Sequence, residues 1–243
     1  MLVSPPTRWP PSLVPQRDAA RGSCLVVLAD IRTALGDETL LDSVERHRRD
    51  AYRREEDRVR FVLGASLVRM LAGEVSGTDP RDVTVARDCP RCGAPHGRPR
   101  LPGIDLHVSV SHSADLVGVA ATVAAPVGLD IEAVGAAPED GVRELTCTAA
   151  EPISTDRDFY TYWCRKESVV KATGDGLEVP LTEVAVSPAT QPARLVSYQG
   201  RGLAATMHDL DVGAGYAAAL TVLADAPVDV ARHWWAEPAD ERR

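Results

Sequence analysis

The sequence predicts a chain that mixes helices with strands, on three observations. Leu106, Val108 and Val110 alternate with other residues, as a half-buried strand does. Glu38 to Gly77 and residues 157–172 instead place apolar residues at helical spacing. No internal repeat interrupts this mixture, and the only low-complexity stretch is a proline-rich start.

In chain order, residues 1–20 carry Pro5, Pro6, Pro10, Pro11 and Pro15 and read as a flexible arm. Cys24 to Ala29 is a short apolar run and a first strand. A helical pattern follows with Leu40, Leu41 and Val44, then Val59, Phe61, Val62, Leu63, Leu67, Val68 and Leu71; Gly73 or Gly77 ends it. A loop rich in Pro, Gly and Cys runs from Arg87 to Gly103. The strand at 106–110 leads into Ser111-His112-Ser113. Leu116 to Ala124 and Val127 to Val134 form two more strands, joined at Pro126. The helix at 157–172 has Asp156 as its expected N-cap. Val184 to Val186, Ala193 to Tyr198 and Tyr216 to Val222 complete the strands. From Asp229 the chain reads as a polar, frayed tail whose Trp234 and Trp235 can pack back on the body. This gives an arm (1–20), two halves (21–122 and 123–228) and a tail (229–243).

An apolar content of 44 % supports a core, and with two Phe, five Tyr and four Trp that core is mostly aliphatic. No apolar run reaches the ~20 residues that span a bilayer, and the start lacks the order of a signal peptide. Five cysteines without a secretion signal point to reduced thiols and a cytoplasmic home. The net charge of −8 sits almost wholly in residues 121–243 and argues against nucleic acid as a partner.

The chain has only two lysines, Lys166 and Lys171, both within Trp163-Cys164-Arg165-Lys166-Glu167-Ser168-Val169-Val170-Lys171. An arginine-rich chain that keeps both lysines here uses the compact ammonium that guanidinium cannot replace. On a strand, Asp130 and Glu132 present two carboxylates to one side. On a helix, Trp163, Glu167 and Lys171 line one stripe, with Lys166 rotated away by about 100°. If helix and strand cross, three carboxylates and an ammonium converge. All-oxygen ligands favour Mg²⁺ or Mn²⁺, and Mg²⁺ bridges substrate phosphates. The bland alternative is two solvated acids on a strand and a Glu167–Lys171 surface ion pair. His112, flanked by Ser111 and Ser113 at a strand end, is a reasonable phosphate-binding surround. Arg46, Arg48, Arg49, Arg53, Arg54, Arg58 and Arg60 form mainly a solvated helix face, with one or two available to a phosphate.

With these residues assembled, the chain resembles the 4′-phosphopantetheinyl transferases of the Sfp type. Gly128 to Glu132 match a Gly-hydrophobic-Asp-hydrophobic-Glu motif. Trp163, Lys166, Glu167, Ser168 and Lys171 match a Trp-x-x-Lys-Glu-Ser-x-x-x-Lys-like motif with one residue fewer before the last lysine. Gly174, Gly176 and Leu177 match Gly-x-Gly-Leu. Ser109 to Ser113 match Asn-hydrophobic-Ser-His-Ser with Ser for Asn, and Gly97-Arg98-Pro99 match Gly-Lys-Pro. Glu56, Asp57, Arg60, Gly64 and Arg69 match an earlier pattern.

The resemblance implies an α+β fold of two similar, pseudo-symmetric halves with the active site in the cleft between them. It implies transfer of 4′-phosphopantetheine from coenzyme A to a serine of an apo acyl or peptidyl carrier protein, with release of 3′,5′-ADP. In that scheme Asp130, Glu132 and Glu167 hold Mg²⁺, Glu167 takes the serine proton and Lys171 meets the leaving phosphate. His112 and Arg60, with Ser111 beside them, hold the 3′-phosphate. Gly97, Arg98 and Pro99 border the adenine, and Arg53 or Arg49 stand in for further basic positions. Carriers of fatty-acid, polyketide, nonribosomal-peptide and siderophore synthesis all suit it, and the enzyme is expected to act as a monomer away from membranes.

Two other readings stay open. The same carboxylates with water as nucleophile make a Mg²⁺-dependent pyrophosphatase of coenzyme A or a nucleotide. Cys89-Pro90-Arg91-Cys92-Gly93, followed by His96, has zinc-knuckle spacing, and with Cys147 as a fourth ligand it would make a zinc-binding module for a nucleic acid or protein. A reduced turn with two thiols is the plainer reading of that segment.

Overall fold

In a computed structural model, residues 22–236 are described except 90, 96, 137 and 139. The expected arm (1–20) and the last residues of the expected tail (237–243) lie outside the described residues, as does His96. The elements are β1 (Gly22–Asp30), α1 (Ser43–Ala51), α2 (Glu55–Ser76), β2 (His107–Ser113), β3 (Leu116–Thr122), β4 (Val127–Ala133), α3 (Asp140–Thr146), α4 (Asp156–Thr173), β5 (Val184–Val186), β6 (Leu195–Tyr198), β7 (Thr206–Asp209), β8 (Tyr216–Val222) and β9 (Val228–Ala236). The fold is α+β.

Two sheets form the centre, ordered β2-β3-β1-β9 and β4-β8-β7, with β5 and β6 as a separate pair. β1 explains why its run is apolar without interruption. Its odd residues, Leu25, Val27 and Ala29, pack under α2 with Leu63, Leu67, Val68 and Leu71. Its even residues, Cys24, Val26 and Leu28, meet Leu129, Ile131, Leu220 and Val222 of the second sheet. Both faces of the strand are therefore buried. α4 lies against β4 and β8, with Cys164 on Ala217 and Ala219. The layers run α2, first sheet, second sheet, α4.

Each long helix needs a missing side chain where it touches its sheet. A Cβ at Gly64 of α2 would press within 3.1 Å of Val110. A Cβ at Gly128 of β4 would strike the Ser168 carbonyl and come within 2.6 Å of the Ala172 nitrogen. Gly128 thus sets how closely α4 approaches the strand that carries Asp130 and Glu132.

β2 and β4 are the edges of their sheets, and serines join them. The amides of Leu129, Ile131 and Ala133 donate to the hydroxyls of Ser109, Ser111 and Ser113 at 3.0, 3.1 and 3.0 Å. The hydroxyls replace the carbonyls of a missing backbone partner, so these three amides at the edge of β4 are paired. Three serines spaced by two are what such a seam requires.

Three expectations are corrected. The stretch from Asp229 is not a frayed tail as far as Ala236: it is β9, parallel to β1 from Gly22↔Val228 onward, with Trp235 buried. The α4 N-cap is Thr155 rather than Asp156, in a reciprocal capping box with Asp158. Residues 38–77 divide into a 3₁₀ turn, α1 and α2, and Gly77 closes α2 in the left-handed region at φ 72°. α3 and β7, both short, had no clear sequence signal.

Candidate functional site

The even residues of β4 turn towards α4 while Leu129 and Ile131 turn into the core between the sheets. Asp130 is buried. Lys171 reaches it from the last turn of α4, with Nζ donating to Asp130 Oδ1 at 2.5 Å, to the Leu129 carbonyl at 3.1 Å and to Ser111 Oγ at 3.2 Å. Ser111 Oγ also donates to Asp130 Oδ1 at 3.1 Å. The other carboxylate oxygen, Asp130 Oδ2, is buried with no hydrogen-bond partner. Glu132 Oε2 accepts from Ser113 Oγ at 2.8 Å.

These acids disturb one another. Burial pushes the Glu132 carboxyl above its ordinary range, and the charge of Asp130 pushes it further. Burial and then Asp130 do the same to Glu167, with Glu132 adding to it. For Lys171 burial works downward, and the carboxylate of Asp130, helped by Glu167, outweighs it to leave the ammonium above its ordinary range. Three carboxylates share one electrostatic environment, with one cation among them. Cys164 lies beside Asp130 and Glu132, and burial lifts its thiol well above the ordinary range. Its spacing, three residues before Glu167 and seven before Lys171, is that of one helix face.

The ion pair considered in the sequence, Glu167 with Lys171, is replaced by Lys171 with Asp130. Among the described residues, no group of three His, Cys, Asp or Glu side chains is closed into a set that could hold a metal as it stands. Lys171 holds one oxygen of Asp130 and Ser113 one of Glu132, so the three acids are neighbours without being a ligand shell. The donor chemistry nevertheless suits a hard divalent cation. An orphaned carboxylate oxygen on Asp130 and two carboxyls held above their range are what an oxygen-ligated cation relieves.

Lys166, next in sequence to Glu167, points the other way. It is wholly buried, and Nζ donates to Glu151 Oε2 at 2.7 Å and to the carbonyls of Thr146 and Leu181. Arg165 is likewise buried, bound to Asp209 and to carbonyls of the 187–191 loop. Trp163 is half-buried with its ring 5.9 Å from that of Phe159.

The basic residues separate into two groups. At the far end of β2, His112 is exposed at the surface. Its imidazolium is disfavoured by partial desolvation and then by the charges of Arg60 and Lys171. Arg60 donates to the Ala114 carbonyl and pairs with Asp57. Arg60 and Lys171 thus set a positive neighbourhood around His112, beside the carboxylates. Ser111 differs from its expected part: its hydroxyl serves the seam, Asp130 and Lys171. Arg98 stands at the other end of β2, beside His107, and donates to the Ala172 carbonyl at 2.5 Å near the C-terminus of α4. Gly97 donates to Arg87 and leaves no room for a side chain against Asp88, which fixes the Gly97-Arg98-Pro99 segment. Arg53 is exposed in the turn between α1 and α2. Arg49 is engaged with Glu38 and Asp50. Arg69 is buried on Glu45, Asp42 and the Val83 carbonyl, so it ties α2 to α1. Cys147 lies near Lys166 and Glu151 and does not join Cys89 and Cys92 in a cluster.

Among the described residues, no helix is long and apolar enough to cross a membrane.

Comparison with known proteins bears directly on this site. Residues 126–221 match the 4′-phosphopantetheinyl transferase superfamily. The matched segment contains β4, α4 and β8, and with them Asp130, Glu132, Glu167 and Lys171. A 4′-phosphopantetheinyl transferase of Bacillus subtilis is 28 % identical over 161 residues, covering 62 % of this chain and 69 % of the relative. The 4′-phosphopantetheinyl transferase Sfp of Bacillus subtilis strain 168 is 29 % identical, over 61 % of this chain and 68 % of its own. The 4′-phosphopantetheinyl transferase HetI of Nostoc is 29 % identical, over 64 % and 68 %.

Proposed function

From the match of residues 126–221 to the 4′-phosphopantetheinyl transferase superfamily and the likeness to transferases of that kind, we propose that the chain is such an enzyme, moving 4′-phosphopantetheine from coenzyme A to a serine of an apo acyl or peptidyl carrier protein and releasing 3′,5′-ADP. The observation that carries this reading is the meeting of Asp130, Glu132, Glu167 and Lys171 between β4 and α4, with Asp130 Oδ2 left unpartnered. Asp130, Glu132 and Glu167 would hold Mg²⁺, or Mn²⁺ in its place. When bound, the cation supplies neutralisation of charge on the phosphoryl oxygens.

The chain's own groups do the rest. Glu167, the carboxylate that α4 brings to the site, takes the proton of the carrier serine, directly or through water. Lys171 stays protonated and places its charge where the leaving 3′,5′-ADP gathers its own. His112 and Arg60 hold the 3′-phosphate, with Arg53 as a further exposed cation. Gly97, Arg98 and Pro99 border the adenine. Coenzyme A lies in a cleft between two similar halves, 21–122 and 123–228, with β9 completing the first sheet. The enzyme acts as a monomer in the cytoplasm, and its carriers include those of secondary-metabolite synthesis.

The test is intact-mass analysis of several apo carrier proteins incubated with the enzyme, coenzyme A and Mg²⁺. The expected result is a gain of one phosphopantetheine on a serine, lost when Mg²⁺ is chelated. Hydrolysis of coenzyme A without labelling of any carrier would overturn the reading in favour of a pyrophosphatase.

A further inference from the structure

The segment between β-bridge partners Ala86 and Arg100 belongs to neither sheet and carries chemistry that the transfer reaction does not use. Ala86 and Arg100 exchange backbone hydrogen bonds at 2.9 and 2.8 Å. Inside that bridge the Gly97 amide donates to the Arg87 carbonyl at 2.6 Å. Further in, Cys89 donates to the Ala94 carbonyl at 2.9 Å, and Gly93, at φ 68°, donates back to the Cys89 carbonyl at 2.8 Å. The result is a narrow hairpin with Cys89 and Cys92 at its closed end.

The turn aims backbone donors at one sulfur. Cys89 Sγ accepts from the amides of Arg91 and Cys92, and the Cys92 thiol also hydrogen-bonds to it. The Gly93 amide on the Cys89 carbonyl folds the chain back on itself next to Cys92, and a disulfide needs its two Cα atoms only roughly 4.4–6.8 Å apart. Cys92 is exposed and Cys89 partly so. Of the other three cysteines two are buried, and Cys147 is partly buried as Cys89 is. Cys24 is buried, and burial pushes its thiol to about 12. Cys164 is buried under the carboxylates. Cys147 is pushed to about 11 by burial.

We propose that Cys89 and Cys92 are a reversible dithiol–disulfide pair, a modification site that takes low-molecular-weight disulfides as its oxidant. Cys89 is the attacking sulfur, because three donors stabilise its thiolate. It displaces one thiolate from the small disulfide RSSR and forms a mixed disulfide. The Cys92 sulfur, after losing its proton, then attacks the Cys89 sulfur and expels the second thiolate. Two protein thiols give up two electrons and two protons, and RSSR leaves as two RSH. In a reducing cytoplasm the pair returns to the dithiol, so the disulfide is transient. The hairpin is tied to the second half of the molecule by Arg91 with Glu178 at 3.3 Å and by Arg98 with the Ala172 carbonyl. A change at its tip therefore arises on a segment anchored beside the end of α4.

The experiment exposes the folded, full-length protein to oxidised glutathione and follows it by intact and peptide mass spectrometry without reductant. The expected product is one intramolecular disulfide, assigned to the peptide holding Cys89 and Cys92 and reversed by a small thiol. Cys92→Ser should retain one glutathionyl group on Cys89, because the resolving sulfur is gone. Cys89→Ser should react more slowly than Cys92→Ser, because the attacking sulfur is gone. Modification of Cys147, Cys24 or Cys164 ahead of Cys89 would overturn the proposal, as would a Cys92→Ser protein that gains no adduct. Stoichiometric zinc that protects both thiols and is released to a chelator would also overturn it, in favour of a metal knuckle.

Discussion

Helices α2 and α4 do the same mechanical work on opposite faces of the molecule, and they do it with different chemistry. Each covers one sheet, and each is seated by a glycine, Gly64 on the helix in one case and Gly128 on the strand in the other. α2 meets its strands with Leu63, Leu67, Val68 and Leu71. α4 sets Glu167 and Lys171 over Asp130 and Glu132. The first interface spends its area on stability. The second gives up apolar contact for a carboxylate-rich seat that a packed core would not choose. The difference sets the proposed site at β4 and α4 apart from the rest of the core.

The sharpest break in that comparison comes from truncating one residue on each side. Asp130→Ala or Glu167→Ala should lower turnover by roughly 10²–10³-fold or more, with the circular dichroism spectrum retained. Glu132→Ala should be milder, because water can replace one ligand on Mg²⁺. Leu67→Ala on α2 should do the reverse, costing about 2–5 kcal/mol of stability while the folded fraction keeps its kcat. Carrier-labelling kinetics beside denaturant titration would check all four. A Glu167→Ala enzyme with near wild-type rates would remove α4 from the mechanism.

Within α4 the two lysines repeat the comparison at closer range. Lys166 is sealed on Glu151 with no exposure, whereas the Lys171 side chain keeps 31 % of its exposure at the carboxylates. Lys166→Ala should strand Glu151 and destabilise the protein by about 3–5 kcal/mol, as for a broken buried pair. Lys171→Ala should lower kcat strongly and also cost stability, because it leaves the buried Asp130 without its cation. Lys171→Arg should bind coenzyme A yet fall short of the full rate, because a planar guanidinium cannot reproduce three converging bonds to Ser111, Leu129 and Asp130. An arginine variant matching wild type in kcat would reduce Lys171 to a charge clamp of any shape.

The raised carboxyls give a third contrast, in pH. Glu132 and Glu167 lie above their unfolded range in the folded chain. Their contribution to stability is therefore fully present below the ordinary glutamate range and is lost as pH rises through the folded values. A divalent cation reverses the sign by preferring the ionised acids. Mg²⁺ should raise Tm at pH 7 and leave it unchanged near pH 4, with Asp130→Asn reducing the gain. Calorimetry across that range with and without Mg²⁺ would test it, and an equal shift at both values would separate the cation from these carboxylates.

The sequence carried the local half of this picture. Alternation placed Asp130 and Glu132 on one face, helical spacing placed Glu167 with Lys171, and the same geometry turned Lys166 away. What it did not carry is pairing across distance. Ser111 looked like a phosphate contact because its use by the amide of Ile131, on the edge of another sheet, leaves no local pattern. β9 looked like a tail because its charged residues suit an edge strand, and its partner β1 lies at the other end of the chain. Lys171 was weighed against Glu167, its neighbour along the helix, whereas its partner Asp130 comes from β4. Cys164 shares the helix face of Glu167 and Lys171 by spacing, but its place beside Asp130 comes from the crossing of α4 and β4.

The smallest effect concerns how the two helices begin. α4 starts with a reciprocal box, in which Thr155 Oγ1 accepts from the Asp158 amide at 3.2 Å and Asp158 Oδ2 accepts from Thr155 at 2.9 Å. Burial works upward on Asp158, but the amides of Ser154 and Thr155 outweigh it and hold the carboxyl below its usual range. α2 starts at Arg54, in an extended conformation suited to an N-cap but with no side-chain cap bond. Thr155→Ala should therefore cost about 1 kcal/mol, and Arg54→Ser should return a similar or smaller amount by supplying the missing acceptor. Both substitutions leave the carboxylates and Lys171 untouched, so each should move the denaturation midpoint without changing kcat. If Thr155→Ala instead lowered kcat at unchanged stability, the position of α4 over Asp130 would depend on its first turn, and Gly128 alone would not fix the approach of helix to strand.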